Sequence, residues 1–382
     1  MSRFVDRSTS FGFLSTYPPT QCGLATFTAA LRAEVAAAGH ETAVVRVLEH
    51  PDAAPLAGVV HHLVHGKPDN AGAAPALDDL DVVVVQHEYG IYDGRDGDGV
   101  VDVLDRLTTP SIVVLHTVLV DPTPHQREVL EAVAQRAGAL VTMSETARQR
   151  LVEHYDIDED KIVVIPHGAS DGRPSRVTPT EEHRPVMLTW GLLGPGKGIE
   201  RVIDALPSLR DLDPRPHYLV VGDTHPRVLE RDGEAYRNGL MRQAERLGVA
   251  DMVTFRPGYL DVASLGVVAA GADVVLLPYD SREQVTSGVL IEAVTACRPV
   301  IATAFAHAVE LLASGAGLVV DHDDPDALIA AIRQVLCEPA QAAAMVHNAK
   351  ELAPELLWNA VAARYCTVAD ELLAAAGSRA WA

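Results

Sequence analysis

The chain carries the stretch Val186-Met-Leu-Thr-Trp-Gly-Leu-Leu-Gly-Pro-Gly-Lys197-Gly198-Ile199, in which a loop with four glycines joins an apolar run to a helical pattern. Glycine lets a backbone approach a ligand closely, and the start of the following helix offers unpaired N–H groups and a positive dipole end. Lys197 adds a full positive charge to this loop. The stretch therefore predicts a strand, an anion-binding loop and a helix.

Strand and helix patterns of the same kind alternate along most of the 382-residue chain. The first half is expected to contain strands at 43–48, 59–64, 81–86, 111–116, 139–143 and 161–165, and helices at 23–38, 99–107 and 124–137. The second half is expected to contain strands at 186–190, 217–221, 253–255, 273–277, 299–302 and 318–320. Such alternation is typical of parallel sheets with helices on both faces, so the predicted fold class is α/β.

The pattern is interrupted once, at residues 171–185. This segment is rich in Pro, Ser, Thr and charge and has no apolar periodicity, as expected of a linker. We therefore predict one domain at 1–170 and a second domain at 186–350. The tail at 351–382 is predicted to be a helix that returns toward the first domain, because its apolar face must be buried somewhere.

The charge balance excludes several classes of partner. The sequence contains 31 Lys and Arg against 52 Asp and Glu, a formal net charge of -21, whereas a nucleic-acid binder must neutralise phosphates with basic side chains. The helices at 99–107 and 124–137 mix acidic and basic residues, so we do not expect association with anionic membranes. The four cysteines form no C-x-x-C pair, and the N-terminus lacks the apolar stretch of a signal peptide. These features predict a cytoplasmic protein that binds no nucleic acid.

Polar side chains follow two strands of the first half, at the sheet edge where ligands bind in open α/β folds. They are Gln86, His87 and Glu88 after one strand and His116 after another. The alternative to a ligand site is that loop backbone satisfies each of these polar groups. Because two strands of the same half end in this way, the pattern favours a ligand site.

A metal site and a triphosphate site are further alternatives. His61, His62 and His65 are clustered, but they do not have the helical spacing of ligands such as H-E-x-x-H, so no metal is predicted. The glycine loop nearly spells G-x-x-x-x-G-K-[ST], but Gly198 stands where the hydroxyl that binds Mg²⁺ is required. The remaining alternative is that the loop is only a structural turn, with Lys197 in solvent.

A second polar loop follows the strand at 273–277 and leads into a helix expected to begin near Ser287. Thr286, Ser287 and Gly288 at this helix start would donate to phosphate oxygens, and Glu292 would accept from sugar hydroxyls. The alternative is that Ser287 only caps the helix while Glu292 lies on the surface. The ligand interpretation predicts a site for a nucleotide diphosphate.

Taken together, these segments resemble the retaining glycosyltransferases of family 4, also described as glycosyl transferases group 1, which have the GT-B fold. The family's N-terminal glycine-rich loop is matched by Tyr17-Pro-Pro-Thr-Gln-Cys-Gly23-Leu-Ala-Thr, and its I-P-N-G segment by Ile165-Pro-His167-Gly168. His116 matches the strand-end histidine that faces the donor sugar. The G-R-L-x-x-x-K-G loop that grips the donor diphosphate is matched by Gly191 to Gly198, and the second carboxylate of the E-x7-E element by Glu292.

The resemblance implies two Rossmann-like domains that face each other across a cleft. It also implies transfer of a sugar from a nucleotide-diphosphate sugar to a hydroxyl acceptor, with retention of configuration and without a metal or other cofactor. The residues implied for catalysis are His116, Lys197 and Gln284, those for the donor are Gly191, Gly196, Lys197, Thr286, Ser287, Gly288 and Glu292, and those facing the acceptor are Gly23, His87 and Glu88. The expected acceptor is a soluble small molecule or glycan.

Three positions depart from the family pattern. Leu192 occupies the place of the diphosphate arginine, whose charge Arg256 or Arg282 would have to replace. Gln284 stands where the first Glu of the pair is expected, and His167 replaces the usual Asn. Two alternatives therefore stay open, namely a nucleotide-sugar isomerase of the same fold, similar to a 2-epimerase, and a non-catalytic nucleotide-sugar-binding protein.

Overall fold

The computed structural model describes residues 8–51, 55–67, 71–171, 184–258 and 260–379, and the chain folds as two compact units. The first unit contains the chain up to His167 and from Trp358 onward, and the second unit contains Gly168–Leu357. The predicted linker at 171–185 lies mainly outside the described residues.

The first unit is built on a parallel sheet of seven strands in the order β3-β2-β1-β4-β5-β6-β7. The strands are β1 (Ser10–Ser15), β2 (Glu41–Leu48), β3 (Val59–Val64), β4 (Val82–His87), β5 (Ser111–Leu115), β6 (Ala139–Thr142) and β7 (Ile162–Val164). The helices are α1 (Gly23–Ala37), α2 (Ala73–Asp78), α3 (Gly99–Arg106), α4 (Pro124–Arg136) and α5 (Glu145–His154). The predicted strands of this half are confirmed, but β1 was not predicted.

β1 is the central strand that the sequence analysis missed. Phe11, Phe13 and Leu14 lie between two serines and are fully buried, and consecutive residues of the strand are buried on both faces, so it lacks the alternation that marks a half-buried strand. Gly12 lies in the middle of this strand, where a Cβ would approach the side chain of Leu77 on α2 to 2.8 Å. The glycine that weakens the strand pattern in the sequence therefore lets α2 pack closely on the sheet.

The second unit repeats the same strand order in a parallel sheet of six strands, β10-β9-β8-β11-β12-β13. The strands are β8 (Val186–Trp190), β9 (His217–Val221), β10 (Val253–Arg256), β11 (Val274–Leu277), β12 (Val300–Thr303) and β13 (Gly317–Val320). The helices are α6 (Ile199–Ala205), α7 (Pro226–Asp232), α8 (Ala235–Arg246), α9 (Val262–Ala270), α10 (Gly288–Thr295), α11 (Ala306–Leu312), α12 (Pro325–Cys337) and α13 (Pro339–Leu356). Both sheets thus have the 3-2-1-4-5-6 order of Rossmann-like folds, and the predicted α/β class is confirmed.

This strand order locates the switch point of each sheet. Successive strands run outward in one direction as far as β3 or β10, and the chain then returns to the other side of the central strand. The switch points therefore lie between β1 and β4 in the first unit and between β8 and β11 in the second. Ligands of doubly wound sheets bind outside the carboxyl ends of these strands.

The tail predicted as one helix at 351–382 consists of two helices, α13 and α14 (Trp358–Arg379). Leu357 separates them because its backbone is extended. α13 ends in the core of the second unit, whereas α14 packs in the first unit, where Trp358 lies edge-on to Phe27 with ring centroids 4.8 Å apart. Tyr365 on α14 is fully buried in the same core.

We predict opposite effects for two substitutions at Tyr365. Its hydroxyl is buried and has no hydrogen-bond partner among the described residues, so Tyr365→Phe should leave the melting temperature unchanged or raise it. Tyr365→Ala removes the whole ring and should destabilise the first unit by about 3–5 kcal/mol. Thermal unfolding followed by circular dichroism measures both, and equal losses in the two variants would contradict the packing described here.

Candidate functional site

The glycine loop at 191–198 lies at the switch point of the second sheet. Gly198 has a φ of +62°, and a Cβ at this position would collide with the carbonyl oxygen of Pro278, which directly follows β11. The N–H of Asp280 donates to the carbonyl oxygen of Gly196 at 3.0 Å. The loops after β8 and β11 are therefore in direct backbone contact, as an anion site at the switch point requires.

Gly191 brings two further segments to the same place. Gly222, which follows β9, has a φ of +137°, and a Cβ on it would collide with the carbonyl oxygen of Gly191. On the other side, a Cβ at Gly191 would lie 3.8 Å from the side chain of Val289 at the start of α10. The glycine loop thus adjoins the first turn of α10, where the sequence predicted phosphate donors.

Lys197 contributes the positive charge of the glycine loop, and an aromatic ring holds it. Its Nζ lies 4.4 Å from the centroid of the Tyr279 ring, a cation–π geometry. Tyr279 is buried and stacks on Phe305 with ring centroids 5.3 Å apart. Lys197 is itself half-buried, so the interpretation of this loop as a turn with a solvated lysine does not fit the structure.

The structure also shows the surroundings of the arginines that would replace the family's diphosphate arginine, whose place Leu192 takes. Arg282 forms an ion pair with Asp323 at 2.6 Å, and Arg201 of α6 forms one with Asp280 at 2.8 Å. Arg256, the other candidate, is exposed at the end of β10. Both Arg282 and Arg201 thus have a carboxylate partner, which leaves Lys197 as the main cation of the loop itself.

The start of α10 differs in one respect from the expectation. Ser287 caps the helix, its Oγ accepting from the N–H of Leu290 at 3.3 Å, but the N–H of Ser287 donates to Nδ1 of His307 at 2.9 Å. The expected phosphate donor at Ser287 is therefore already occupied. The N–H groups of Gly288 and Val289 have no acceptor within the described part of the chain, so they are the hydrogen-bond donors of this turn that stay available to a ligand.

The other predicted donor residues lie in the same loop. Gln284 donates from its side-chain amide to the carbonyl oxygen of Thr286 at 2.9 Å. The hydroxyl of Thr286 is buried and has no partner among the residues that the structure describes. These residues were predicted to contact the donor directly, whereas His307, the acceptor for Ser287, was not predicted, because a contact between two helix starts has no sequence motif.

Glu292 is half-buried, so the alternative that placed it on the surface is wrong. Its Oε2 accepts a hydrogen bond from the indole N–H of Trp190 at 3.1 Å. Burial raises the pKa of this carboxyl group to about 7, and the bond from Trp190 opposes the rise. Glu292 is therefore an acceptor whose charge changes near neutral pH.

In the first unit, Phe27 contacts two of the histidines singled out in the sequence, at the carboxyl edge of the sheet. This side chain of α1 lies edge-on to the rings of His116 and His167, with centroids 5.1 and 5.0 Å away. Nε2 of His116 lies 2.6 Å from Oε1 of Gln86. Burial, with smaller effects from His167 and His87, lowers the pKa of His116 to about 3, so the ring is neutral at physiological pH.

His87 and Glu88 have different environments although they are neighbours. His87 is buried, and within the described residues neither ring nitrogen has a hydrogen-bond partner. Its side chain was expected to face the acceptor substrate, but it points into the protein interior instead. Burial lowers its pKa to about 4. Glu88 is half-buried, and its carboxylate accepts from the hydroxyl of Thr117 at 2.5 Å and from the N–H of Tyr89 at 3.0 Å.

Gly23 begins α1 beside open space, since a Cβ added to it would meet nothing within 4 Å. The loop before it is held by Arg46, a buried side chain that donates to the carbonyl oxygen of Tyr17 and to the hydroxyl of Thr20, both at 3.1 Å. Sequence analysis missed Arg46 because it lies inside the apolar run of β2. A basic residue in such a run is the signal that would have indicated it.

Neither a metal centre nor a membrane span is found in the described residues. No three side chains of His, Cys, Asp or Glu are placed together so that they would hold a metal ion. Of the clustered histidines, His65 has its Nε2 3.0 Å from the carbonyl oxygen of Ile91. None of the helices described is both long enough and apolar enough to cross a bilayer.

Each of the two units is Rossmann-like and has polar groups at its switch point. Solved glycosyltransferase structures of the GT-B class have the same fold. Sequence profiles match at residues 22–173, for the family described as Glycosyltransferase Family 4, and at 173–352, for Glycosyl transferases group 1. The D-inositol 3-phosphate glycosyltransferase of Geodermatophilus obscurus is 30% identical in an alignment of 330 positions, and the match covers 76% of this chain and 70% of the relative. The chain belongs to glycosyltransferase family 4.

Other relatives are matched over a smaller share of their length. The D-inositol 3-phosphate glycosyltransferase of Segniliparus rotundus is 29% identical over 68% of this chain, and the match spans only 60% of that protein. Among solved structures, HepE of Anabaena in complex with UDP has a TM-score of 0.75 at 16% identity and covers 95% of this chain and 100% of its own. Sucrose-phosphate synthase from Thermosynechococcus elongatus has the same TM-score at 19% identity, covering 96% and 100%. These structures establish the fold.

We predict that the stability of the first unit decreases in acid because His87 is buried in its neutral form. Unfolded His87 takes up a proton below about pH 6.5, whereas folded His87 stays neutral down to about pH 4, so stability falls as pH decreases across this window. His87→Leu should therefore lose less melting temperature between pH 7 and pH 4.5 than the unsubstituted protein. The exposed His50→Leu is the control and should behave like the unsubstituted protein. An unchanged pH dependence in His87→Leu would contradict the assignment.

Proposed function

We propose that this chain is a retaining glycosyltransferase that uses a nucleotide-diphosphate sugar as donor and a soluble hydroxyl compound as acceptor. The observation that carries the proposal is the position of Lys197, in a glycine loop at the switch point and beside the start of α10. The solved structures of HepE contain UDP or UDP-glucose, which supports a nucleotide sugar as the donor class.

The proposed role of this loop follows from the charge of the leaving group. A diphosphate gains negative charge as the glycosidic bond breaks, and fixed donors aimed at it lower the barrier. Lys197 supplies a full charge, and the N–H groups of Gly288 and Val289 supply partial charges. The close backbone contacts at Gly191, Gly198 and Gly222 hold these hydrogen-bonding groups in place before the nucleotide sugar binds. Retention of configuration and independence of metal are inferred from family membership.

The acceptor is proposed to bind the first unit. The open start of α1 at Gly23 offers N–H groups, and Glu88 and the neutral His116 offer hydrogen-bonding groups near the same sheet edge. The inositol phosphate glycosyltransferases among the relatives support a polyol or sugar phosphate as the acceptor class. The net charge of -21 favours a soluble acceptor over one embedded in an anionic membrane.

The proposal is tested by ligand screening followed by product analysis. Nucleotide diphosphates and their sugars are first screened by thermal shift, because a ligand that binds the folded state raises its stability. The best donor is then incubated with sugar phosphates and polyols, and proton NMR shows the anomeric configuration of the product. Activity should persist in EDTA, since Gly198 offers no hydroxyl for Mg²⁺. Epimerisation of the donor alone, or binding without turnover, would contradict the proposal.

We predict that Lys197→Ala weakens binding of the preferred nucleotide diphosphate by about ten- to a hundredfold, since a hydrogen bond to a charged group contributes about 1.5–3 kcal/mol. Isothermal titration calorimetry measures the change. Lys350→Ala removes an exposed lysine from α13 of the same unit and should bind like the unsubstituted protein. Equal affinities of the Lys197→Ala and Lys350→Ala variants would contradict the proposed role.

Donor affinity should also depend on pH through Glu292. Its raised pKa of about 7 means that the carboxyl group is mostly neutral at pH 6 and mostly ionised at pH 8. The ionised form is the stronger acceptor for ribose hydroxyls, so affinity for the nucleotide sugar should rise across this range. A nucleotide sugar is the suitable probe because its diphosphate does not titrate there. Glu292→Gln should flatten the profile, and a profile shared by both proteins would argue against this role.

A further inference from the structure

The segment between β11 and α10 is attached to the start of α11 by three hydrogen bonds. The backbone N–H groups of Ala306 and His307 donate to the carbonyl oxygens of Arg282 and Gln284, at 3.1 and 3.0 Å. Nδ1 of His307 accepts from the N–H of Ser287 at 2.9 Å. We call residues 282–287 the donor loop, because Gln284, Thr286 and Ser287 were all predicted to bind the donor.

His307 forms hydrogen bonds to both ends of the part of this loop that contains the predicted donor-binding residues. Its backbone N–H binds the carbonyl of Gln284, and its ring binds the N–H of Ser287 three residues later. Both His307 and Ser287 are buried, each about 3% exposed, so water does not replace the ring as an acceptor. Since a protonated Nδ1 has no lone pair, the contact requires the hydrogen of a neutral ring to be on Nε2.

The bond to His307 also decides which N–H groups of α10 are available to a ligand. Ser287 donates to His307, and Leu290 donates to the hydroxyl of Ser287. Gly288 and Val289 lie between them, and their N–H groups have no acceptor among the described residues. The histidine ring therefore satisfies one buried donor of the helix start and leaves the next two N–H groups available.

We infer that His307 is a positioning residue for the donor: its ring fixes the donor loop so that Gln284 and Thr286 meet the sugar. The inference rests on the proposed function. Lys197 is held separately, by Tyr279, so loss of the His307 ring should affect the sugar more than the diphosphate. His307 itself touches neither substrate.

The test compares three substitutions. His307→Leu removes the acceptor, His307→Asn keeps an acceptor oxygen close to the position of Nδ1, and His347→Leu changes an exposed histidine on α13 as a matched control. We expect His307→Leu to weaken binding of the preferred nucleotide sugar about five- to tenfold, the equivalent of one hydrogen bond. Binding of the nucleotide diphosphate should change less than twofold, and His307→Asn should recover most of the loss.

Amide hydrogen exchange of the free protein provides a readout that needs no substrate. The peptide covering 282–290 should exchange about two- to tenfold faster in His307→Leu and at the original rate in His307→Asn and His347→Leu. Unchanged exchange in His307→Leu would overturn the inference, as would equal losses of sugar and diphosphate affinity in both His307 variants. If the unsubstituted protein binds no nucleotide sugar, the proposed function fails, whereas the exchange result still decides whether His307 holds the loop.

Discussion

Contact between backbones at the switch point of the second sheet is the constraint on which its candidate site depends. Gly222 abuts the carbonyl of Gly191, and Gly198 abuts the carbonyl of Pro278, so a side chain at Gly222 or Gly198 would push neighbouring loops apart. Both glycines also have positive φ angles, which L side chains rarely adopt. Because the loops after β8, β9 and β11 touch, the glycine loop that carries Lys197 adjoins the first turn of α10.

Both units place uncharged polar groups at the sheet edge, although the chain carries a net charge of -21. Desolvation lowers the pKa of His116, so its ring is neutral, and the ring of His307 must be neutral to accept from Ser287. Neutral groups and backbone N–H donors keep their geometry without a counter-ion, and they act strongly where water is excluded. Lys197 adds a full positive charge to the glycine loop of the second unit.

Every strand that was predicted from the sequence is present, and the glycine loop lies where ligands bind in such sheets. β1 was missed because a short, continuous apolar run with Gly12 at its centre does not show strand periodicity. His307 and Arg46 were missed for another reason. Their roles come from hydrogen bonds to residues far away in the chain or in another element, and no local spacing records such contacts. Periodicity therefore predicts elements, whereas tertiary packing selects the groups that remain available.

The replacement of the family's arginine by Leu192 bears on how the proposed donor site would divide its binding energy. A second cation would bind the diphosphate of the donor and would also stabilise the negative charge that develops on it as the glycosidic bond breaks. With Lys197 as the main cation, affinity depends more on the sugar and ribose contacts of the donor loop and Glu292. Only the sugar contacts are lost on transfer, because the ribose leaves with the diphosphate. In the proposed site, fewer charges on the diphosphate would make discrimination of donor from product depend on the loop that His307 holds, and the product would be released more readily.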